Sequence, residues 1–184
     1  MTFSRLFLAT LVVVGAFAFS SHAVAQAPSD ANIGAIVLAA NQIDIDYGNL
    51  ALTKSKNKEV KAFAQQMVND HGAVQQSVID LAKKLHLTPV DDETSKGLKA
   101  QSGKTMEKLR SLEGEDFDKF YIDNEVGYHK LVTDAIADTL IPSAQNSELK
   151  AALQGAQTLF LGHLEHAKKV QATVDRAKSK THHK

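Results

Sequence analysis

The 184-residue chain has no cysteine and no tryptophan. Without cysteine no disulfide can form, and any metal must be held by nitrogen, oxygen or thioether ligands. Nor is there a charge excess: Lys plus Arg and Asp plus Glu each number 21, for a formal net charge of +0. A balanced chain has no global field to draw it to nucleic acid or to an acidic membrane surface. Nucleophile motifs, Gly-rich phosphate loops and nucleic-acid modules are also missing. With no tryptophan and few strand-like runs, the composition points to an all-α fold.

Arg5 is the only charged residue before Asp30. The apolar run Leu6 to Phe19 has the length of a signal h-region, and Ala23-Val24-Ala25 supplies the small-x-small pattern that a signal peptidase reads. Residues 1–25 are therefore expected to be a signal peptide cleaved after Ala25, and the mature protein to be periplasmic or secreted. The run is short for a span of about 20 residues, so no stable membrane insertion is expected after cleavage. Residues 26–177 then form one domain with one core, and the basic stretch 178–184 (KSKTHHK) a flexible tail.

Four long helices are readable. In the stretch 60–85, Val60, Ala64, Met67, His71, Val74, Val78, Leu81 and Leu85 recur at spacings of four and three. This is an apolar helical seam with one interruption, His71. A first helix from Ser29 or Asp30 to about Lys54 carries the stripe Ile33, Val37, Ala40, Asp44, Tyr47, Ala51. The turn Ser55-Lys56-Asn57 makes it an antiparallel neighbour of the second helix, which Thr88-Pro89 stops. Val90 to Gly114, holding Gly97 and Gly103, reads as a long crossover with at most a short, weakly amphipathic helix. A third bundle helix runs from about Glu115 to Leu140, ended by Pro142, with Glu125 and His129 near the centre of its apolar arc. The fourth, capped by Asn146 or Ser147, carries Leu149, Leu153, Ala156, Phe160, His163, Ala167, Val170 and Val174.

Each of the four helices thus has a polar interruption on its buried stripe. Asp44 lies about 12 residues before the first turn and His71 about 15 after it, which at 1.5 Å per residue puts them within about one helical turn of each other. Glu125, His129 and His163 are related in the same way across the second turn. Sites built from facing helices are where bundles hold metals and cofactors. His71, His129 and His163, with Asp44 and Glu125, are therefore the candidate ligands of a divalent transition metal. A metal-free buried polar network and proton-transfer catalysis are the other uses such a cluster has. Asp70 is a candidate outer acceptor for a ring, and Met67 reads as core filler. The pair His182-His183 is too short to count as a site.

Two segments, Asp44 to Ala51 and Val60 to Ala64, lead into Met67-Val68-Asn69-Asp70-His71. Together with Phe117-Asp118-Lys119-Phe120-Tyr121, His129 and His163-Leu164, they resemble the bacterial "domain of unknown function 4142" family. The resemblance covers about Ala31 to Lys169. It implies an exported, ferritin-like antiparallel four-helix bundle with no established activity. A distantly similar His/Met-rich family binds copper or silver, which extends the implication to metal handling. The chain departs from the family pattern at Asp44, where Glu is usual, at Tyr128, in place of an acidic residue, and at Phe160, in place of Pro. The Glu-x-x-His signature of di-iron bundles is absent, so ferroxidase or oxygenase chemistry is not implied.

The expectation is a non-enzymatic periplasmic binding protein holding Zn, Cu, Ni or Fe. The alternative is an envelope stress or interaction protein whose buried histidines are purely structural.

Overall fold

The computed structural model describes residues 27–181, so the expected signal peptide and His182-His183 lie outside the described residues. Five helices carry the chain: α1 (Asp30–Lys54), α2 (Lys58–Lys84), α3 (Glu93–Ser111), α4 (Gly114–Ala135) and α5 (Ser147–Thr181). The fold is all-α, as the periodicity predicts.

The helix starts follow from local chemistry. Ser29 and Asn32 form a capping box on α1, Asn57 Oδ1 accepts from the main-chain N–H groups of Glu59 and Val60, and Asn146 Oδ1 accepts from those of Glu148 and Leu149. Asp30 accepts from the main-chain N–H groups of Gln145 and Asn146 at 2.8 and 3.0 Å, which ties the α4–α5 turn to the start of α1.

Two antiparallel hairpins, α1–α2 and α4–α5, pack face to face. The α1–α2 contact is close because of Gly48. A Cβ there would stand 2.8 Å from Val68 Cγ2 and 3.1 Å from the Ala64 carbonyl oxygen.

The crossover differs from its expectation. It is a full helix, α3, lying mainly against α1. Asp92 and Ser95 cap it reciprocally, and Leu109 is fully buried, with Leu98, Met106 and Leu112 packed beside the core. Gly97 and Gly103, which argued against helicity, have nothing within 4 Å of a would-be Cβ. They sit on the open side, where lost packing costs nothing.

Pro142 does not end the third bundle helix. α4 runs on through a π turn (Ile136–Leu140) into a last turn (Ile141–Ser143). Proline has no N–H to give the Asp138 carbonyl, and its ring would strike that group in a regular helix. Widening the turn, with the Ile141 N–H bonded to Ile136 O, avoids the clash. At the other end α5 continues to Thr181, and Lys178 Nζ pairs with Asp116 Oδ1 at 2.6 Å. The helix thus covers Lys178–Thr181, the first part of the stretch 178–184 expected as a tail, and the rest of that stretch lies outside the described residues.

The core is divided by level. One apolar cluster holds Tyr47, Phe63, Met67, Phe117, Tyr121 and Val170. The other holds Ile33, Val37, Ile136, Leu140, Leu153 and Phe160. Along α1, α2, α4 and α5 the chain passes from one cluster to the other through polar residues. That intervening level is the site.

Candidate metal centre

α1 presents Asn41 and Asp44 at this level, α2 His71, α4 Glu125 and His129, and α5 His163. None of the six is more than 3% exposed. All five ligand candidates read from the sequence are thus brought to one interior spot.

Hydrogen bonding at the far side of each ring decides which nitrogen is free. The Asn41 amide nitrogen donates to the Val37 carbonyl at 2.8 Å, leaving Oδ1 as the acceptor 2.9 Å from His71 Nδ1. His71 therefore carries its proton on Nδ1 and a lone pair on Nε2. His129 Nδ1 donates to the main-chain carbonyl of Glu125 at 3.0 Å, so its Nε2 is bare as well. These two Nε2 atoms face each other at 3.4 Å. Asp44 Oδ2 lies 3.3 Å from the first and 3.5 Å from the second.

Three acceptor atoms thus form a nearly equilateral triangle. Its centre is about 2.0 Å from each corner, which is the bond length of Zn(II) to imidazole nitrogen or carboxylate oxygen. Acceptors at this range repel one another unless a proton or a cation sits among them.

His163 donates from Nε2 to Asp70 Oδ2 at 2.9 Å, while its Nδ1 is buried without a partner. Ligand atoms of His71, His129 and His163 all lie within 4.8 Å of one another, and the same holds for Asp44, Glu125 and His129. Glu125 Oε2 is 3.5 Å from His129 Nδ1. No N–H or hydroxyl donor reaches Asp44, the Asn124 side-chain amide lies beside Glu125 without a well-formed hydrogen bond, and Asp44 and Glu125 can bond each other only by sharing an acid proton.

The titration behaviour follows from burial. Burial pushes Asp44 up to about 8, opposed by its bond with Glu125. Burial, then the neighbouring Asp44, raises Glu125 well above the usual carboxylate range. His71 is pushed down to about 2 by burial, then by His129 and His163. His129 falls to about 4, by burial and then His163, and burial lowers His163 against the pull of Asp70. At neutral pH the three rings are neutral and offer lone pairs, while the carboxyls hold protons that an incoming cation displaces.

Apolar rings enclose the cluster. Phe160 stacks on His71 at 4.6 Å with planes 12° apart, and Phe63 meets His129 edge-on at 6.5 Å. A cavity of about 10 Å³ remains, lined by Asn41, Asp44, His71, His129 and Phe160 among others. It has room for about one water or ion and none for an organic substrate.

Asn41 was not among the residues read from the sequence. It falls four residues after Val37 and three before Asp44, so the spacing of the stripe does reach it. Ala40 beside it is the apolar choice and hides it. Asp70 does contact a ring, that of His163. Met67 lies in the apolar core, and His166 bonds Gln66 Oε1 at 2.8 Å; Gln66 in turn donates to Asp70, so His166 borders the outer side of the His163–Asp70 pair.

A family model described as "Domain of unknown function (DUF4142)" matches residues 17–170. The chain belongs to the DUF4142 family. No curated protein matches this DUF4142 chain. Solved structures share its fold. A DUF305 protein from Streptomyces coelicolor superposes with a TM-score of 0.67 at 11% identity, covering 78% of this chain and 92% of that one. CopM, in its Cu(II)-bound form, superposes with a TM-score of 0.63 at 14% identity, covering 80% of this chain and 99% of that one. At such identities the likeness is one of helical-bundle fold alone.

Proposed function

We propose that this DUF4142 protein is an exported, non-enzymatic binding protein for one divalent transition-metal ion. His71, His129 and Asp44 hold the ion, and His163 and Glu125 complete its surroundings. One observation carries the reading: two bare Nε2 atoms and an Asp44 carboxyl oxygen stand 3.3 to 3.5 Å apart, with both Nδ1 protons committed elsewhere. Fixing the tautomer through the outer ring nitrogen is how metal-binding histidines are held ready. Imidazole and carboxylate donors suit Zn, Cu(II), Ni or Fe. That CopM was solved with Cu(II) supports the use of this fold for such an ion. The closed surroundings favour holding over catalysis.

Metal analysis of mature protein purified without an affinity tag tests the proposal. One equivalent of metal, or a thermal shift on adding Zn, Cu or Ni to apoprotein, is expected. Neither result with any of the three overturns it.

A second reading is favoured by the raised carboxyls. An Asp44 that keeps its proton can donate to an imidazole nitrogen and satisfy the cluster without metal. The protein would then serve as an envelope stress or interaction protein whose polar level is structural. Removing His71 would lower its stability and leave partner binding intact.

A further inference from the structure

The centre is closed, so an ion must reach it through some wall. Two cavities of about 340 Å³ flank it. One lies between α1, α3 and α4, and its inner wall is shared with the centre: Ala40, Val132, Phe160, the ring stacked on His71, and Asn41, the acceptor that holds His71 from behind. The carboxylate on its rim, Asp92, is committed to capping α3. The other is a groove between α2 and α5, walled by Val74, Val78, Leu153 and Leu159. Asp70 is the one charged residue lining it.

Asp70 differs from Asp92 in what lies behind it. Its side chain is 34% exposed, and it accepts from His163, whose side chain is 1% exposed. Both hydrogen bonds that hold Asp70, from His163 and from Gln66, end on Oδ2. Oδ1 is left for a guest cation. His163 itself has one nitrogen on this half-exposed carboxylate and the other, Nδ1, buried and without a partner. It is the ring of the cluster that joins the interior to a charged surface group.

From this geometry we infer that the α2–α5 groove is the port through which the metal ion enters and leaves, with Asp70 as its landing carboxylate. The inference rests on the metal-binding reading above. A carboxylate at the mouth of an apolar groove concentrates cations and repels anions. The ion then meets His163, whose Nδ1 is buried and unpartnered, and neither Asn41 nor Phe160, the two groups that fix His71, has to give way. Asp70 is thus a positioning residue that governs rate, distinct from the donors that govern affinity.

Stopped-flow uptake of Co(II) by the mature apoprotein, read by its visible absorption, tests the port. Asp70→Asn removes the charge but keeps an oxygen to accept from His163. Gly155→Phe fills the groove, since a Cβ at Gly155 meets nothing within 4 Å. Ala135→Phe fills the opposite cavity as a control. Both groove variants are expected to slow association about tenfold or more. Gly155→Phe should slow release into excess chelator by the same factor, leaving Kd unchanged, because a plug acts equally in both directions. The Ala135 variant should keep wild-type rates. Co(II) binding by wild type with unchanged rates in both groove variants, or slowing confined to Ala135→Phe, overturns the port and leaves the metal reading standing. Wild-type protein that takes up no Co(II) overturns both.

Discussion

His71 and His129 meet Nε2 to Nε2 at 3.4 Å, and neither nitrogen carries the proton that would make the contact a hydrogen bond. The two rings come from different hairpins, each held from behind by a carbonyl oxygen, of Asn41 and of Glu125. Something positively charged belongs between them, either the Asp44 acid proton or a metal ion.

Replacing Asn41 with Leu removes the acceptor that fixes the His71 tautomer. Metal affinity should fall about 10- to 100-fold although no donor atom is lost. Apoprotein stability should fall by about 1–3 kcal/mol, since a buried N–H is orphaned. A Co(II) titration and a urea melt of the same variant check both.

Asp44→Asn separates the two readings. The amide can still donate to an imidazole nitrogen but cannot ionise. Metal binding should be lost, while apoprotein stability at pH 8 stays level or rises, because a costly buried acid is gone. Thermal melts with and without metal read both effects. A variant that binds metal normally would remove Asp44 from the site.

The pH dependence of apoprotein stability should be two-sided. His71, His129 and His163 have depressed values in the fold, at about 2 for His71 and about 4 for His129. The unfolded chain therefore takes up protons that the fold refuses, and stability falls as pH drops below about 6.5. Asp44, raised to about 8, and Glu125 act the other way. The fold keeps protons that the unfolded chain has released, so their contribution declines as pH rises from about 4 through 8. Between about pH 4 and 6.5 the two sets oppose each other. Above that the carboxyls act alone, and the apoprotein should lose stability towards pH 8.5. Saturating metal should abolish this alkaline decline, because bound carboxylates are already ionised. Melts at half-unit pH steps, with and without metal, check it.

Gly48→Leu forces a side chain into the α1–α2 contact, where even a Cβ would stand 2.8 Å from Val68 Cγ2. A loss of about 1–3 kcal/mol is expected from overpacking. Spreading these helices also parts Asp44 from His71, so metal affinity should fall with stability. Gly97→Ala in α3 is the control: it meets nothing and should stabilise by about 0.5–1 kcal/mol.

The donors were legible because helical spacing is strict and each lay on an otherwise apolar line at a matching distance from a turn. His71 and His163 each stand alone on a clean seam. Asn41 was less legible because a neutral amide next to Ala40 does not announce burial. Gly97 and Gly103 hid α3, since propensity says nothing about which side of a helix meets the core. Pro142 reads as a stop from local rules, and the π turn that accommodates it depends on the surrounding packing. The contact between Asp70 and His163 needed the register of α2 against α5, which no single-helix pattern contains.

The polar level draws at least one residue from each of the four long rods, so it exists only while the two hairpins are docked. An ion seated there would act as a rivet between them. Partial opening of either hairpin would scatter the donors and free the cargo at once. Retention in such a protein would therefore report on the integrity of the whole bundle, and a protease or denaturing stress that loosens one hairpin would also be a release signal.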